Sequence, residues 1–298
     1  MTKSNLQNPL AIAAAVSVAI IVAIVFAATQ DLKTGHNSII DRIQAQTGSP
    51  EVQYAYGVQL RDSGRESAAD DAAPWFEKAA GRGYVPAMLA LADLRNANAD
   101  EDSGDEAVKW WEKASAAGNR EATRKLGQAY EIGRGTLDPN REMARTLYKK
   151  AAEAGDVEAE NLYGGDLLDE GQWKDGETWV LRAEKDGSAN ADATLGNLYY
   201  ATYSPLKDWN KAALYYGKAS NAGISAIMFN YAYMLANGWG TKEDSAEAYK
   251  WILISSRVRD KEMRPALDYF RTHLTPAQLH DGESRAAAWV KSHPPVHL

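Results

Sequence analysis

A hexapeptide closing on glycine recurs along this chain at nearly constant intervals, and it constrains the fold more than any other feature. Its copies are Lys78-Ala-Ala-Gly-Arg-Gly83, Lys113-Ala-Ser-Ala-Ala-Gly118, Lys150-Ala-Ala-Glu-Ala-Gly155, Arg182-Ala-Glu-Lys-Asp-Gly187 and Lys218-Ala-Ser-Asn-Ala-Gly223. The closing glycines stand 35, 37, 32 and 36 residues apart. A period of that size, kept over five copies, is the signature of an array built from one two-helix unit per copy.

Alignment on the glycines brings a pair of large residues into register before each basic residue: Trp75-Phe76, Trp110-Trp111, Leu147-Tyr148, Trp179-Val180 and Tyr215-Tyr216. Upstream of each lies a second helical stretch, clearest in Ala122-Thr-Arg-Lys-Leu126-Gly127-Gln-Ala-Tyr130-Glu-Ile-Gly133-Arg-Gly135. Its small, leucine and tyrosine positions fall at i, i+4 and i+8, on one helical face. Counterparts start near Val52, Ala87, Ala159, Ala191 and Ala226, giving six expected helix pairs. Gly127 and its equivalents Gly164 and Gly196 let the next helix approach closely.

The run A-x-x-x-L-G-x-x-Y-x-x-G-x-G, followed by an aromatic-x-K-A-A-x-x-G segment, resembles the Sel1-like repeat, a relative of the tetratricopeptide repeat. The resemblance covers roughly residues 50 to 260 and is fullest over 122 to 155. Only that copy and the sixth, with Gly238-Trp239-Gly240, keep the Gly-x-Gly turn. The resemblance implies an all-α, right-handed α-solenoid whose first helices line a concave protein-binding face.

The first thirty residues read differently. No charge lies between Lys3 and Asp31, and residues 10–28 form a continuous apolar run. Nineteen helical residues span roughly 28 Å, close to the hydrocarbon thickness of a bilayer. Residues 1–30 are therefore expected to form a single-pass transmembrane anchor, with a signal peptide cut after Ala27 as the alternative. The flanking charges place the rest of the chain on the exported side, the periplasmic face of the inner membrane in a Gram-negative host. Residues 31–50 read as a tether, with one turn around Ile39, Ile40 and Ile43 packing on the first repeat. Residues 51–260 read as the solenoid, and Ser49-Pro50-Glu51 as N-cap, N1 and N2 of its first helix. Asp138-Pro139 repeats that logic.

Residues 226–236 are apolar nearly all round, so another element must cover them. Residues 261–298 supply it: a short helix near Met263 to Phe270, then one opened by Thr275-Pro276 and running to about Val290. A solenoid end needs such a cap.

Chemistry is scarce. The formal net charge is −7, and without the first thirty residues 32 basic face 40 acidic residues. That balance argues against nucleic acid, whose phosphates need a basic face. Cysteine is absent, which removes disulfides, thiolate metal sites and cysteine nucleophiles. Among the five histidines only His293 and His297 stand four apart, and Pro294-Pro295 breaks the helix between them. The Gly-x-Gly turns lack the spacing of a phosphate loop, and the acidic run 100–106 lacks that of a calcium loop and reads as a solvated connection. No cofactor, metal or catalytic set is expected, and the chain reads as non-enzymatic.

Recognition of another protein remains. Aromatic residues outside the repeat's core register are the candidate contacts: Tyr200, Tyr203, Tyr233 and Trp239. Buried aromatic anchors dominate interface energetics. Trp173 and Trp209, at helix starts, read as core. The resemblance implies an adaptor or scaffold role in envelope complexes; a sharper version is an immunity protein neutralising a secreted antibacterial toxin such as a lipase-type effector. A glycan-binding or envelope-enzyme-associated role is the rival from another class.

Overall fold

A computed structural model describes residue 42 and residues 45–98 and 100–293. The expected 1–30 anchor, most of the tether, including Ile39, Ile40 and Ile43, and the final five residues lie outside the described residues. Among the described residues no helix is long and apolar enough to cross a membrane.

Fourteen helices run between Pro50 and Ser292, and no strand occurs among the described residues. In chain order they are α1 Pro50–Arg61, α2 Ala68–Gly81, α3 Val85–Asn96, α4 Glu101–Ala116, α5 Arg120–Ile132, α6 Arg141–Glu153, α7 Val157–Asp169, α8 Trp173–Lys185, α9 Ala189–Tyr200, α10 Trp209–Asn221, α11 Ser225–Asn237, α12 Ser245–Ser256, α13 Asp260–His273 and α14 Pro276–Ser292. The all-α class and the six helix pairs expected from the period are present, with two further helices at the C-terminal end.

The chain forms two compact units. Among the described residues the first comprises those up to 122 and 132–139, the second 123–131 and 140–293. In the first, α1 packs on α2, α2 on α3 and α3 on α4. Ala45 is fully buried with Tyr56 and Trp75, so the end of the tether docks on the first pair. In the second unit, α6 to α12 pack successively, α7 also meets α9, and α12 carries both α13 and α14.

The repeated hexapeptide has a physical reading. In four of the five copies the first residue of the large pair is aromatic and lies three residues before the basic one, on the same helical face. Lys78 Nζ sits 4.5 Å from the Trp75 ring centre, Lys113 4.0 Å from Trp110, and Lys218 5.0 Å from Tyr215. The Arg182 guanidinium stacks likewise on Trp179, at 4.5 Å. Each cation thus covers an aromatic face it would otherwise leave to water. The second residue of the pair turns inward: Phe76, Tyr148, Val180 and Tyr216 are all buried.

The Gly-x-Gly turn explains its own rarity. Gly133 and Gly135 have φ of +74° and +63°, Gly238 and Gly240 +65° and +66°, conformations L side chains rarely adopt. A Cβ on Gly135 would lie 2.7 Å from the Asp105 nitrogen, and one on Gly240 only 1.9 Å from the Trp209 oxygen. In both copies the turn wedges against the start of the preceding pair's second helix. Copies without the wedge have no need of the motif.

Helix starts are capped as the sequence suggests, with local exceptions. Asp156, Ser188, Asp208 and Asp244 accept from backbone N–H groups of their first turns, and Thr275 and Gln278 form a reciprocal capping box. Ser49 occupies the N-cap position of α1, with Pro50 at N1, yet its hydroxyl does not cap the helix. It bonds Glu51 instead, holding that carboxyl below its usual range. Asp138-Pro139 does not start α6; Asn140 does, its Oδ1 accepting from Met143 N at 2.9 Å. The acidic run 100–106 is not a loop. Asp100 caps α4 and the rest forms its first turns, where carboxylates meet the positive end of the helix.

The C-terminal helices cap the array less evenly than expected. Met228, Ala232 and Leu235 of α11 join a core with Trp251, Ile252, Met263, Leu267 and Phe270. Phe229 and Tyr233, on the same apolar helix, remain 38% and 44% exposed. α11 is thus covered on one side by α12 and its cap, while its outer edge stays open.

Candidate binding clefts in the second unit

Four aromatic residues carried the sequence expectation, and the second unit places them in three settings. Tyr200, at the end of α9, is half-buried; Tyr203, in the adjoining loop, is 80% exposed. Both line a cleft of about 930 Å³. Tyr233 borders a smaller cleft, about 460 Å³, between α11 and α13. Trp239 lines neither. Its indole stacks on Trp209 at 4.7 Å with the planes 8° apart, and Tyr233 meets it edge-on at 5.2 Å. Trp239 thereby holds the sixth-pair turn onto the start of α10, the same place where Gly240 makes its close approach.

The large cleft runs along the first helices of three successive pairs. α7 contributes Gly165, Leu168 and Asp169, α9 contributes Thr194, Asn197, Leu198 and Tyr200, and α11 contributes Asn230. Trp173, expected in the core, is half-buried and does two things: it packs against the neighbouring apolar cluster and forms part of the cleft wall. Its ring lies 6.1 Å from that of Tyr203. The two are thirty residues apart and meet because the fifth-pair loop, built on Ser204-Pro205 rather than glycines, brings Tyr203 back over the start of α8.

The floor is polar. Tyr216 rises from α10 beneath α9, its ring 5.9 Å from Tyr200, and donates its hydroxyl proton to Asn197 Oδ1 at 2.9 Å. Burial pushes the phenol well above its ordinary range, so it stays protonated. At one rim the carboxylates of Asp169 and Glu170 are held by Arg141, 2.7 Å from Asp169, and by Arg145, with Gln172 Nε2 2.9 Å from Glu170. Among the described residues no lysine, arginine or histidine lines this cleft.

The smaller cleft is apolar, walled by Phe229, Ile252, Pro265, Tyr269 and Phe270, with Glu262 as its one acid. Sequence reading weighed Tyr233 here but missed Phe229 and Tyr269, whose helical registers look like ordinary core.

Elsewhere, polar groups serve packing. Glu160 is buried, with Oε1 2.6 Å from Arg182 Nη2, and its carboxyl is raised chiefly by desolvation. Among the described residues no group of three or more His, Cys, Asp or Glu could hold a metal ion.

The Sel1 repeat model matches residues 50–84, 86–119, 120–156 and 226–257. The Sel1-repeat-containing protein YjcO of Escherichia coli K12 is 30% identical over 121 residues, 41% of this chain and 52% of that protein. The chain thus spans about half the length of the curated relatives it matches. Among solved structures, a Sel1 repeat protein from Oxalobacter formigenes superposes with a TM-score of 0.65 at 25% identity, covering 78% of this chain and 69% of that one. The c5321 protective antigen of uropathogenic Escherichia coli shares the fold, with a TM-score of 0.61 at 22% identity over 86% of this chain and 64% of that one. Pairs four and five, which hold most of the large cleft, fall between the matched segments, and the pairs on either side of them match the Sel1 repeat model.

Proposed function

We propose that this chain is a non-catalytic protein-binding module, a scaffold or adaptor, that seats its partner on the large cleft of the second unit. The observation that carries the reading is the cleft itself: Trp173, Tyr200 and Tyr203 gathered over the first helices of three pairs, in a fold class suited to protein–protein interaction. The site holds aromatic and amide groups but no nucleophile beside a base, which favours recognition over catalysis.

The uncharged run of residues 10–28 supports a membrane-anchored version, with the repeats in the periplasm of a Gram-negative host. A concave partner-binding face and an immunity role against a secreted toxin are finer forms of the same proposal. The test is crosslinked capture of partners by the tagged full-length protein in its native host, repeated with Tyr203→Ala and with residues 1–30 removed. A partner lost with Tyr203→Ala, and a chain released from the membrane fraction by the deletion, are the expected results. Identical capture by wild type and Tyr203→Ala would remove the cleft from consideration. A single stoichiometric partner that is toxic when expressed alone would establish the immunity form.

A further inference from the structure

The fourth residue of each pair's first helix is a position that the array keeps inside. In chain order it is Gln53, Met88, Thr123, Glu160, Asp192 and Met228. Five of the six are buried, and Asp192 keeps only 16% of its side chain exposed. A thioether, hydroxyl or amide is tolerated in such a place at modest cost, whereas a carboxylate must be compensated. Pairs four and five alone put an ionisable group there.

The compensation is incomplete in both pairs. Glu160 is 1% exposed; its Oε1 meets Arg182 Nη2 of α8, but its Oε2 is enclosed with no hydrogen-bond partner among the described residues. Asp186, just after α8, and Asp156, the cap of α7, add repulsion, Asp156 itself being held by Arg124 of α5 at 2.9 Å. Asp192 repeats the arrangement one pair on. Lys218 of α10 lies 3.9 Å from its Oδ1 but makes its short contact with Glu184 of α8, at 2.5 Å, and Oδ1 accepts no hydrogen bond among the described residues. The Tyr215 phenol faces the same group from α10, and Glu158 of α7 is engaged with Ser188 and Asn190 at the start of α9. Burial raises both carboxyls above their ordinary range, Asp192 to about 6. The helices that carry them, α7 and α9, also line the large cleft.

We propose that pairs four and five are a proton-responsive segment of the array, tightly packed while Glu160 and Asp192 are neutral and looser once both are ionised, so that mild acid firms the walls of the large cleft. The sign follows from linkage. A carboxyl that holds its proton more tightly in the folded state adds stability that is complete below the unfolded value, about 4, and is lost as pH rises through the folded one. For Asp192 that window runs from about 4 to about 6. Pairs with Met, Thr or Gln at the position have nothing there to titrate.

The test is hydrogen–deuterium exchange of the full-length protein at about pH 5 and about pH 7.5, read by mass spectrometry and corrected for the intrinsic pH dependence of exchange. Peptides from α7 to α10 should lose protection about tenfold or more between the two, the factor that a single shift from about 4 to about 6 produces over this range, while those from α11 and α12 change less than about twofold. The double variant Glu160→Gln, Asp192→Asn keeps both polar shapes without the charge, so its protection should stay flat with pH. A loss spread evenly over all pairs, or one that persists in the double variant, would overturn the proposal. Carboxyl-carbon NMR titration of the wild type decides the matter even where the variant does not fold. Both groups are expected to titrate above the ordinary carboxylate range, and an ordinary value for either would also overturn it.

Discussion

A Cβ on Gly196 would lie 2.3 Å from the Tyr216 ring, and Gly127 stands in the same relation to Tyr148, at 2.7 Å. Both aromatics belong to the second helix of the same pair, and both are almost wholly buried. The glycine therefore sets the distance between the two helices of a pair. Gly196→Ala gains about 1 kcal/mol of helix propensity but forces the Tyr216 ring to move within a packed core, which costs about 1–3 kcal/mol for modest overpacking and more where backbone must shift. A net loss of up to about 2 kcal/mol in denaturant unfolding is expected, more if the backbone shifts. Gly81→Ala, where no atom lies within 4 Å, should instead be neutral or stabilising.

The C-terminal helices should matter more to stability than their exposure suggests. Phe270 is buried against Tyr249, with ring centres 5.9 Å apart. Phe270→Ala should cost about 3 kcal/mol by lost burial and the cavity left behind. Deleting residues 261–298 uncovers Trp251 and Ile252 together and should give an aggregating product by size-exclusion chromatography; a soluble monomer of normal helicity would refute the capping role.

Trp239 offers a separation of stability from binding. Its indole lies on Trp209 and lines neither cleft, so Trp239→Ala should loosen the Gly238–Gly240 turn without weakening the partner. A loss of about 2 kcal/mol is expected for a half-buried indole, with faster proteolysis within the turn. Unchanged stability together with lost binding would return Trp239 to the role of a contact.

Asp192 makes stability depend on pH in a direction opposite to most carboxylates. Burial pushes its carboxyl up to about 6, Lys218 at 3.9 Å offsets this in part, and Glu184 adds repulsion. The folded state thus holds the proton more tightly than the unfolded chain, whose carboxyl titrates near 4. The contribution is complete below about pH 4 and is lost as pH rises through about 6. Asp192→Asn should match wild type near pH 4 and exceed it by about 1–2 kcal/mol near pH 7.5, as read from urea midpoints across the range. A constant difference at both pH values would contradict the assigned shift.

The period of the closing glycines, the i+4 spacing of Leu126 and Tyr130, and the large residue placed three before each basic residue determined the helix pairs in the sequence alone. Each of these is a contact within one helix or between neighbours in sequence, so local spacing specifies it. Thr275 and Pro276 marked the start of the last helix for the same reason. What lay beyond sequence were contacts made across pairs. Trp173 reads as a core residue until Tyr203, thirty residues on, turns back beside it. Trp239 reads as free until Trp209 is seen beneath it. Asn197 is an unremarked amide until the Tyr216 hydroxyl donates to it from the next helix. Residues that share one helix are held in register by 3.6-residue periodicity, whereas residues on different pairs are brought together only by the stacking of those pairs, and it is the stacking that makes the cleft.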